Sequence, residues 1–524
     1  LRNLYTAANA LAVLWLFVLN WGERSVYDKS IAKCNWQFEN WASLSSTCGA
    51  IPEDARPHRI MFVADPQLVD PHTYPGRPWP LSTLTVKYTD LYLSRVFRKS
   101  MHELEPQTTI FLGDLFDGGR EWGTADSESP EEQWHKYGGQ FWLKEYNRFG
   151  NIFFKPWAEW QAKLDESQGE HKLLASLPGN HDLGFAAGIQ KPVRKRFNAY
   201  FGDGNRIDII GNHTIVSLDT VSLSAFETDA PEDIWKPTVE FLEDNRRARR
   251  RLISRQMKLL HGENGFTKYE HGVLESEELA EARLPHPSND VSDLPLILLS
   301  HVPLYRDPGT PCGPLRERWP PTPPPDGEKE PLIKDDRNAI SVSYGYQYQN
   351  VLTAAVTKKI INSIGIVQYA FSGDDHDYCD VTHRGYSGPG GGVREITVKS
   401  LSWAMGVRKP GFVQVSLWNP VDVHGKSISH EHNPTLQSNL CLLPDQLSIF
   451  IRYGLLFGFT LMILTIRAAM IMLHPSMSTL VGASDSPLLP TVRSDEKSDP
   501  PPTNGHLDVP SDTSTNSSTL SNSG

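Results

Sequence analysis

The sequence predicts an α/β domain held between two membrane-spanning helices, and three observations lead to this expectation. Short apolar runs alternate with segments of helical periodicity, a pattern typical of α/β domains. Five of the apolar runs end at a cluster of Asp, Asn, Gln or His residues. Two long apolar segments bracket the remainder of the 524-residue chain.

The strands and helices follow from the periodicity of apolar residues. Apolar runs predict buried strands at residues 59–64, 108–112, 172–177, 214–219, 296–299 and 366–371. Two later runs, residues 395–398 and 412–417, come after a glycine-rich segment and predict antiparallel sheet. Helical periodicity covers residues 131–165 and also 81–104, where one broad face carries Leu84, Tyr88, Leu91, Tyr92 and Val96.

Two insertions are predicted within the domain. Residues 226–290 are strongly charged and mostly helical, and they include a basic run at 246–251. We interpret this run as a solvated helix face, with contact to anionic lipid head groups as the alternative. Residues 308–345 begin with a segment too rich in proline for regular structure.

The apolar segments set the predicted domain boundaries. Residues 1–22 form a transmembrane helix or signal anchor, since no Ala-x-Ala cleavage pattern follows the apolar run. Residues 447–474 form a second transmembrane helix, which is long enough to span a bilayer. The other predicted segments are a lumenal lead-in at 23–56, a catalytic domain at 57–420, a linker at 421–446 and a disordered tail at 475–524.

Charge and cysteine content exclude several classes of protein. A net charge of -11 argues against a nucleic-acid-binding protein. The five cysteines form no Cys-x-x-Cys pair, which excludes a zinc ribbon. Cys34 and Cys48 are close enough in sequence to close a short loop in an oxidising lumen, where the Asn212 sequon is also expected.

The strand-end clusters predict a polynuclear metal site. In open α/β sheets, functional groups gather at the carboxyl ends of the strands. Carboxylate, amide and imidazole groups together suit Mn, Fe(II) or Zn, and two such ions can share one carboxylate. The candidate ligands are Asp65, Asp114, Asn180, His301, Asp374 and His376.

The ordered motifs resemble those of the calcineurin-like metallophosphoesterases. They are Asp65-x-Gln67, Gly113-Asp114, Gly-Asn-His-Asp at 179–182, Ser300-His301 and Gly-Asp-Asp-His at 373–376. The resemblance covers residues 57–420 and implies an αββα sandwich. Residues 64–70, 73–76, 113–120 and 346–350 further resemble one branch, the fungal cell-division-control and animal post-GPI-attachment proteins.

The resemblance implies a role for each residue. Asp114 would bridge two metal ions. Asp65 and His376 would complete one metal site, and Asn180, His301 and Asp374 the other. His181 would lie near the leaving-group oxygen, with Asp182 tuning it. Arg120 and Asp117 are candidate substrate-binding residues: either Arg120 holds a phosphate oxygen or it forms an ion pair with Asp117.

Two positions depart from the general pattern of the superfamily. Gln67 stands where a histidine ligand is common, and we do not expect it to bind metal. Asp374 stands where the last motif usually has its first histidine. Because the added carboxylate favours a harder ion, two Mn ions are the expected cofactor, with Fe and Zn as alternatives.

The branch implies a phosphodiesterase that removes ethanolamine phosphate from a mannose of GPI anchors during remodelling. Its catalytic domain would face the lumen of the endoplasmic reticulum or Golgi, and its substrates would be GPI-anchored proteins or the GPI glycolipid. The acidic surroundings (Asp70, Asp117, Asp375 and Asp377) would suit a cationic ethanolamine group. Two alternatives stay open: a lumenal phosphatase for another phosphoester, and a non-catalytic membrane adaptor with a degenerate site.

Overall fold

The folded part of the chain is built on two mixed β-sheets, as seen in a computed structural model. The structure describes residues 6–39, 56–164, 171–262, 275, 293–317, 326–327, 336–388, 390–421 and 435–473. The chain divides into two units, Leu1–Phe457 and Gly458–Gly524. Both sheets lie in the first unit.

The first sheet has the strand order β13-β12-β1-β2-β3, and the second has the order β10-β11-β9-β6-β5-β4. The strands of the first sheet are β1 (His58–Val63), β2 (Thr108–Phe111), β3 (Lys172–Leu174), β12 (Gly411–Leu417) and β13 (Leu436–Leu442). Those of the second are β4 (Arg206–Ile210), β5 (His213–Leu218), β6 (Leu296–Ser300), β9 (Tyr369–Ser372), β10 (Cys379–His383) and β11 (Val393–Thr397). A separate ribbon pairs β7 (Tyr344–Gly345) with β8 (Tyr348–Gln349).

The helices of the described residues are, in chain order, α1 (Ala7–Asn20), α2 (Val26–Ala32), α3 (Leu81–Leu104), α4 (Gly139–Phe149), α5 (Lys155–Gln161), α6 (Asn180–Leu183), α7 (Lys191–Phe201), α8 (Thr220–Leu223), α9 (Glu232–Leu260), α10 (Ala354–Ile364) and α11 (Gln446–Leu473). Several lie between parallel strands, as the alternating pattern predicted. Strands β1, β2 and β3 run parallel, and so do β5, β6, β9 and β11.

The two sheets pack face to face because their strands are apolar on both sides. Successive side chains of a strand point to opposite faces. In β1, Ile60 and Phe62 enter the core between the sheets, while Met61 and Val63 enter the outer core beneath the helices. Phe62 stacks on Phe371 of the other sheet with ring centroids 4.5 Å apart. The result is an α/β fold in which two mixed sheets form the centre.

The helix predicted at residues 81–104 is present as α3, but its predicted apolar face is buried over only part of its length. Tyr92 and Val96 are buried, together with Phe97. Leu84 and Leu91 are instead exposed. The expectation of one continuous buried face is therefore wrong for the first half of α3.

The predicted strands are confirmed, while their pairing differs in part. The late strands β11 and β12 lie in different sheets: β11 pairs parallel with β9, and β12 pairs antiparallel with β1. Strands β4, β10 and β13 were not predicted. Strand β13 lies within the segment expected to be a linker, where its alternating polar residues suit a sheet edge.

Two disulfides join distant parts of the chain. Cys34 pairs with Cys441 on β13, and Cys312 pairs with Cys379. The expected Cys34–Cys48 loop is therefore wrong, and Cys48 itself lies outside the described residues. The segment predicted as a lead-in belongs to the domain, because Tyr27 and Ile31 of α2 are buried in the outer core.

Removing the Cys34–Cys441 bridge should destabilise the domain. The two cysteines are 407 residues apart in sequence, so the bridge removes much conformational freedom from the unfolded chain. The Cys34→Ser/Cys441→Ser variant should lose about 2–5 kcal/mol of unfolding free energy. Thermal unfolding of the purified protein measures this loss. Cys48→Ser is the matched control, and equal midpoints for the two variants would contradict the expectation.

The basic run of α9 is only in part a solvated face. Arg246 donates hydrogen bonds to the backbone oxygens of Ser363 and Asn362, and Arg249 donates to that of Ile364. These carbonyls belong to the last turn of α10, which lacks intrahelical partners for them. The two arginines therefore cap α10, since cations favour the negative end of a helix.

One helix among the described residues, α11, is long and apolar enough to cross a membrane. Its most apolar 18-residue window has a mean hydropathy of 2.1. Helix α1 covers only 14 residues and continues through a π-helical turn, Trp21–Ser25, into α2. By itself α1 is shorter than the roughly 20 residues that a bilayer core requires. The predicted tail lies outside the described residues.

A buried histidine predicts how stability depends on pH. His213 of β5 is fully buried, and its Nε2 lies 2.7 Å from Thr435 Oγ1. Burial lowers the pKa of His213 from 6.5 to about 4. Between those pH values the unfolded chain binds a proton at this site and the folded chain does not, so stability falls as the pH falls.

Because of His213, the free energy of unfolding should be about 3 kcal/mol lower at pH 4 than at pH 7. Urea unfolding of the wild type and of His213→Gln at a series of pH values measures it. The variant should show a smaller decrease through this window. Parallel pH profiles for the two proteins would contradict the assignment.

Candidate metal centre

The predicted ligands come from both sheets and converge at the ends of their parallel strands. Asp65 follows β1, and Asp114 follows β2. Asn180 begins the short helix α6 after β3. From the second sheet, His301 follows β6, and Asp374 and His376 follow β9. The convergence of five strand ends explains how residues far apart in sequence form one site.

The backbone at these strand ends is strained. Among the described residues, nine non-glycine residues have positive φ angles. Five of them belong to the strand-end motifs: Asp65, Gln67, Asp114, Asp374 and His376. Such conformations cost on the order of 1–3 kcal/mol each and gather at functional sites. The surrounding sheets hold the ligands in positions that isolated loops would not adopt.

Two glycines allow the strand ends to approach closely. A Cβ atom on Gly179 would lie 2.0 Å from Asp114 Oδ1, and a Cβ on Gly113 would lie 2.5 Å from His301 Nδ1. The φ of Gly113 is +98°, which also disfavours other residues. These glycines are therefore required for the contact between the two halves of the site.

His301 lies at the centre of the cluster. Its Nε2 is 3.4 Å from Asp114 Oδ1, 3.5 Å from Asp374 Oδ1 and 3.1 Å from Asn180 Oδ1. Asp65 Oδ1 lies 3.9 Å from His301 Nδ1 and accepts the backbone N–H of Asp374 at 3.2 Å. The structure thus brings five of the six predicted ligands into direct contact.

The sixth predicted ligand, His376, lies close enough to act electrostatically on Asp114. Its Nδ1 is 3.1 Å from the backbone oxygen of Met405. Such a backbone contact fixes the orientation of an imidazole and leaves its other nitrogen available as a ligand.

The buried acidic groups and His301 shift one another's pKa values. Burial raises the pKa of Asp65 well above its usual range, and Asp114 adds to this effect against the attraction of His301. Burial would also raise the pKa of Asp114, but the nearby histidines His301 and His181 lower it. Burial alone would lower the pKa of His301, yet Asp114, Asp374 and Asp65 raise it well above its usual value.

These residues fit a divalent metal. Asp65 Oδ2 and Gln67 Oε1 are buried and have no hydrogen-bond partner among the described residues. The ligand atoms of Asp65, Asp114 and His301 lie within 4.8 Å of one another. Carboxylate, amide and imidazole donors in one buried cluster suit Mn, Fe(II) or Zn. A bound cation would take over the charge that the proton on His301 supplies in its absence.

Gln67 contacts the cluster through its amide nitrogen. Its Nε2 donates a 2.7 Å hydrogen bond to Asp114 Oδ2. This contact places a donor on the predicted bridging carboxylate and leaves Oε1 without a partner among the described residues. That Gln67 is not a ligand stays a prediction.

Asp182 supports the loops rather than the ring of His181. Its carboxylate accepts the backbone N–H groups of Leu115, Phe116 and Gly179 at 2.9–3.2 Å. Burial, together with the charge of Asp114, raises the pKa of Asp182 to about 7. These hydrogen bonds do not include the ring of His181, which Asp182 was predicted to tune. Asp182 instead connects the second and third motifs.

Asp117 is the carboxylate that contacts His181. His181 Nδ1 lies 2.6 Å from the backbone oxygen of Asp117 and 3.4 Å from its Oδ1. On the other side, His72 Nδ1 lies 3.0 Å from Asp117 Oδ2. Burial would raise the pKa of Asp117, but the hydrogen bond from His72 and the charge of His181 lower it to about 2. The polar atoms of His72, Asp117 and His181 form a second cluster beside the first.

Arg120 does not form the ion pair with Asp117 that was one of its two predicted interactions. Its Nε lies 3.2 Å from Glu121 Oε1, and its guanidinium donates to the backbone oxygen of Asn180 at 3.2 Å. Arg120 therefore lies beside the ligand loop. Its binding of a phosphate oxygen stays a prediction.

Two residues of the site were missed from the sequence. His72 stands within the loop after the first motif, two residues beyond Asp70, and nothing in a single sequence distinguishes it from an ordinary surface histidine. The backbone oxygen of Gln347 accepts a 3.0 Å hydrogen bond from Asn180 Nδ2 and so orients the amide. The branch-like motif at 346–350 is the signal that pointed to this segment.

Comparison with known proteins agrees with this geometry. The calcineurin-like phosphoesterase pattern matches residues 58–378. Cell division control protein 1 of Saccharomyces cerevisiae is 32% identical over 464 residues, which are 87% of this chain and 74% of that protein. Metallophosphoesterase 1 of Cricetulus griseus is 26% identical over 325 residues, which are 62% of each chain.

Among solved structures, a dimetal phosphatase from Danio rerio matches 70% of this chain and 94% of its own. The identity is 13% and the TM-score is 0.28. This likeness carries no argument. The family match includes strands of both sheets and all six predicted ligands, and it ends just beyond the last of them. The chain therefore belongs to the calcineurin-like phosphoesterase family and is a metal-dependent phosphoesterase.

Proposed function

We propose that the protein is a membrane-anchored phosphodiesterase with a dinuclear, Mn-containing site that removes ethanolamine phosphate from a mannose of GPI anchors. The observation that carries the proposal is the convergence of carboxylate, amide and imidazole side chains at the joint end of two sheets, in a chain that also has an apolar helix of 28 residues. The proposed substrate is inferred from the resemblance of residues 64–70 and 346–350 to the GPI-remodelling branch.

In this proposal the two sheets share the metal ions. Asp114 bridges them, Asp65 and His376 hold one, and Asn180, His301 and Asp374 hold the other. When bound, the ions supply Lewis acidity toward the phosphoryl oxygens and lower the pKa of water. The role of the chain is to hold these ligands close together and away from solvent: Asp65, Asp114, Asn180 and His301 are each at most 2% exposed.

His181 is placed to act on the leaving group. Because Nδ1 faces the backbone oxygen of Asp117, this nitrogen carries the proton of the neutral ring. Nε2 donates to a leaving oxygen only from the imidazolium, whose second proton is taken up from solvent before the phosphorus–oxygen bond breaks. Asp117 and His72 hold the ring on the side away from the metal ligands. The proton donated from Nε2 would neutralise the alkoxide that forms as the phosphorus–oxygen bond breaks.

Two features support a lumenal location and membrane attachment. Disulfides Cys34–Cys441 and Cys312–Cys379 form and persist in oxidising compartments such as the endoplasmic reticulum. Helix α11 supplies the anchor, and α1 is proposed as a second span. The protein would then lie in the endoplasmic reticulum or Golgi membrane with its catalytic domain in the lumen.

The acidic surroundings are less available to a cationic substrate than the sequence indicated. Asp375 is paired with Arg316, and Asp377 with Lys399. The carboxylate of Asp70 accepts the backbone N–H groups of His72 and Gly118. Asp117 is likewise engaged by His72 and His181. All four acidic residues therefore have partners, and recognition of ethanolamine by a general negative field is not favoured.

The decisive test is a GPI-glycan profile. Cells lacking the protein should accumulate GPI anchors that retain ethanolamine phosphate on the side branch, as measured by mass spectrometry. Rescue by the wild type or by the exposed-site control Asp126→Asn should restore the normal profile, and rescue by Asp114→Ala should not. An unchanged side branch in the null cells would favour a phosphatase acting on another phosphoester.

The adaptor alternative is tested separately. Purified protein should bind Mn, Fe or Zn and hydrolyse an aryl phosphodiester after metal addition. Protein that binds none of these metals and hydrolyses nothing would favour the adaptor. Gln67 and Asp374 are the two residues that support this alternative.

A further inference from the structure

The first half of α3 presents an apolar face that the domain does not cover. Leu81, Leu84, Tyr88 and Leu91 are 56%, 42%, 49% and 47% exposed, and Trp79 before the helix is 80% exposed. Their spacing of three and four residues places the four helical positions on one side of the helix. In a water-soluble domain such a face would be turned to the core, as the second half of α3 is.

This face is continuous with the start of the apolar helix. The ring of Tyr88 lies edge-on to the ring of Phe450, with centroids 6.2 Å apart. Phe450 stands in the second turn of α11, only three residues before the apolar stretch that begins at Tyr453. A helix rises about 1.5 Å per residue, so the chain enters its apolar stretch about 5 Å beyond the contact with Tyr88.

A second contact connects α11 to α3 through Glu23. Tyr453 Oη lies 3.1 Å from Glu23 Oε1, and Glu23 pairs with Arg95 of α3 at 2.6 Å. Arg95 stands one turn beyond Leu91 and marks where the exposed apolar face of α3 gives way to charged residues. The exposed apolar part of α3 therefore lies on the N-terminal side of this ion pair, where Trp79 precedes the helix.

The same half of α3 forms one wall of a cavity of about 750 Å³. Val86, Asp90 and Leu91 line this wall, and Arg148 of α4, which pairs with Asp90 at 2.7 Å, lines the cavity together with Glu145. Trp134 and Tyr74 add aromatic surface. The cavity thus combines apolar and aromatic surface with eight charged side chains, a lining that suits a polar head group attached to a lipid.

His72 lies between the cavity and the catalytic cluster. The ring of His72 lies 5.6 Å from that of Trp134, which lines the cavity, and 6.0 Å from that of His181. Asp70, also in the lining, accepts the backbone N–H groups of His72 and Gly118. A ligand in the cavity is therefore one side chain away from the residue proposed to act on the leaving group.

We propose that Trp79 and the first half of α3 lie in the interface of the bilayer, so that the cavity beside them receives the head group of a lipid-linked substrate directly from the membrane. Aromatic and leucine side chains are typical of such interfacial helices. The proposal rests on the membrane anchoring by α11 in the proposed function, and it adds a second contact that orients the domain on the membrane.

Depth-dependent fluorescence quenching tests the placement in the full chain. Leu84→Cys, Glu103→Cys and Leu464→Cys are each made with Cys48→Ser, labelled with bimane and reconstituted in phosphatidylcholine vesicles. Nitroxide lipids, labelled near the head group or deep in the acyl chain, serve as quenchers. Glu103 is the matched control because it is an exposed residue on the same helix, roughly 28 Å from Leu84 along the axis.

The label at Leu84 should be quenched by the shallow nitroxide, and that at Glu103 should not. The label at Leu464 should be quenched by the deep nitroxide. Quenching at Leu464 with none at Leu84 overturns the inference and leaves the anchor in place, with a protein rather than lipid covering the face. No quenching at either position overturns both the anchor and the inference.

A functional comparison distinguishes orientation from folding. The pair Leu81→Glu/Leu84→Glu should lower turnover of a GPI glycolipid in vesicles by at least about tenfold, because two carboxylates on the apolar face oppose its insertion among the acyl chains. Its turnover of a soluble aryl phosphodiester should equal that of the wild type. A variant that turns over both substrates as fast as the wild type does would overturn the inference. If the wild type does not act on the glycolipid, the substrate proposal fails, and the fluorescence comparison still decides the placement.

Discussion

Asp114→Asn should abolish metal binding and phosphodiester hydrolysis together. Asp114 is the carboxylate common to the whole site, where it lies 3.4 Å from His301, accepts the backbone N–H of His181 and accepts from Gln67. Asn keeps its shape and removes its charge. Loss of groups that only support metal ligands lowers activity by roughly 10- to 100-fold, so loss of a bridging ligand should exceed about 100-fold.

Two measurements check this expectation: metal content by mass spectrometry, and turnover of an aryl phosphodiester. Asp126→Asn is the control, since Asp126 is an exposed aspartate in the loop after the same motif. Full activity of Asp114→Asn at normal metal content would contradict the assignment of Asp114 as a bridging ligand.

The second large effect is expected at His181, and it should depend on the leaving group. His181→Gln removes the proton donor, so turnover of an ethanolamine phosphodiester should fall by about 10²- to 10⁴-fold. An aryl phosphodiester should lose far less, because a nitrophenolate leaves without protonation. Metal content should stay unchanged, as the ring of His181 is not among the proposed ligands.

The matched control for this variant is His102→Gln, which replaces an exposed histidine on α3. Equal losses on both substrates would assign His181 a general structural role. Reduced metal content would instead make it a ligand.

Much of the fold was accessible from the sequence because the strands are buried on both faces. Continuous apolar runs such as those of β1, β2 and β6 are recognisable without knowledge of their partners. The ligands could be found because each follows such a run in a compact motif. Strand β13 could not, since its alternating polar residues resemble those of a loop and only its pairing with β12 makes it a strand.

The interactions that were missed are those formed between distant segments. Cys34 pairs with Cys441 rather than with its neighbour in sequence, because β13 brings Cys441 next to the chain that follows α2. Asp182 appeared adjacent to His181, yet its side chain reaches back to the loop after β2. The first half of α3 has the periodicity of a buried helix, and only its surroundings show that Leu81, Leu84 and Leu91 are exposed.

The division of the site between two sheets has a consequence for how the protein is maintained in the cell. A metal ion held by Asp65 or Asn180 on one side and by His301 or Asp374 on the other acts as a crosslink between halves that meet mainly through apolar packing. Binding at 100 times the dissociation constant would add about 2.7 kcal/mol of stability. The amount of folded protein would then follow the supply of the metal, so that metal starvation removes the protein as well as its activity.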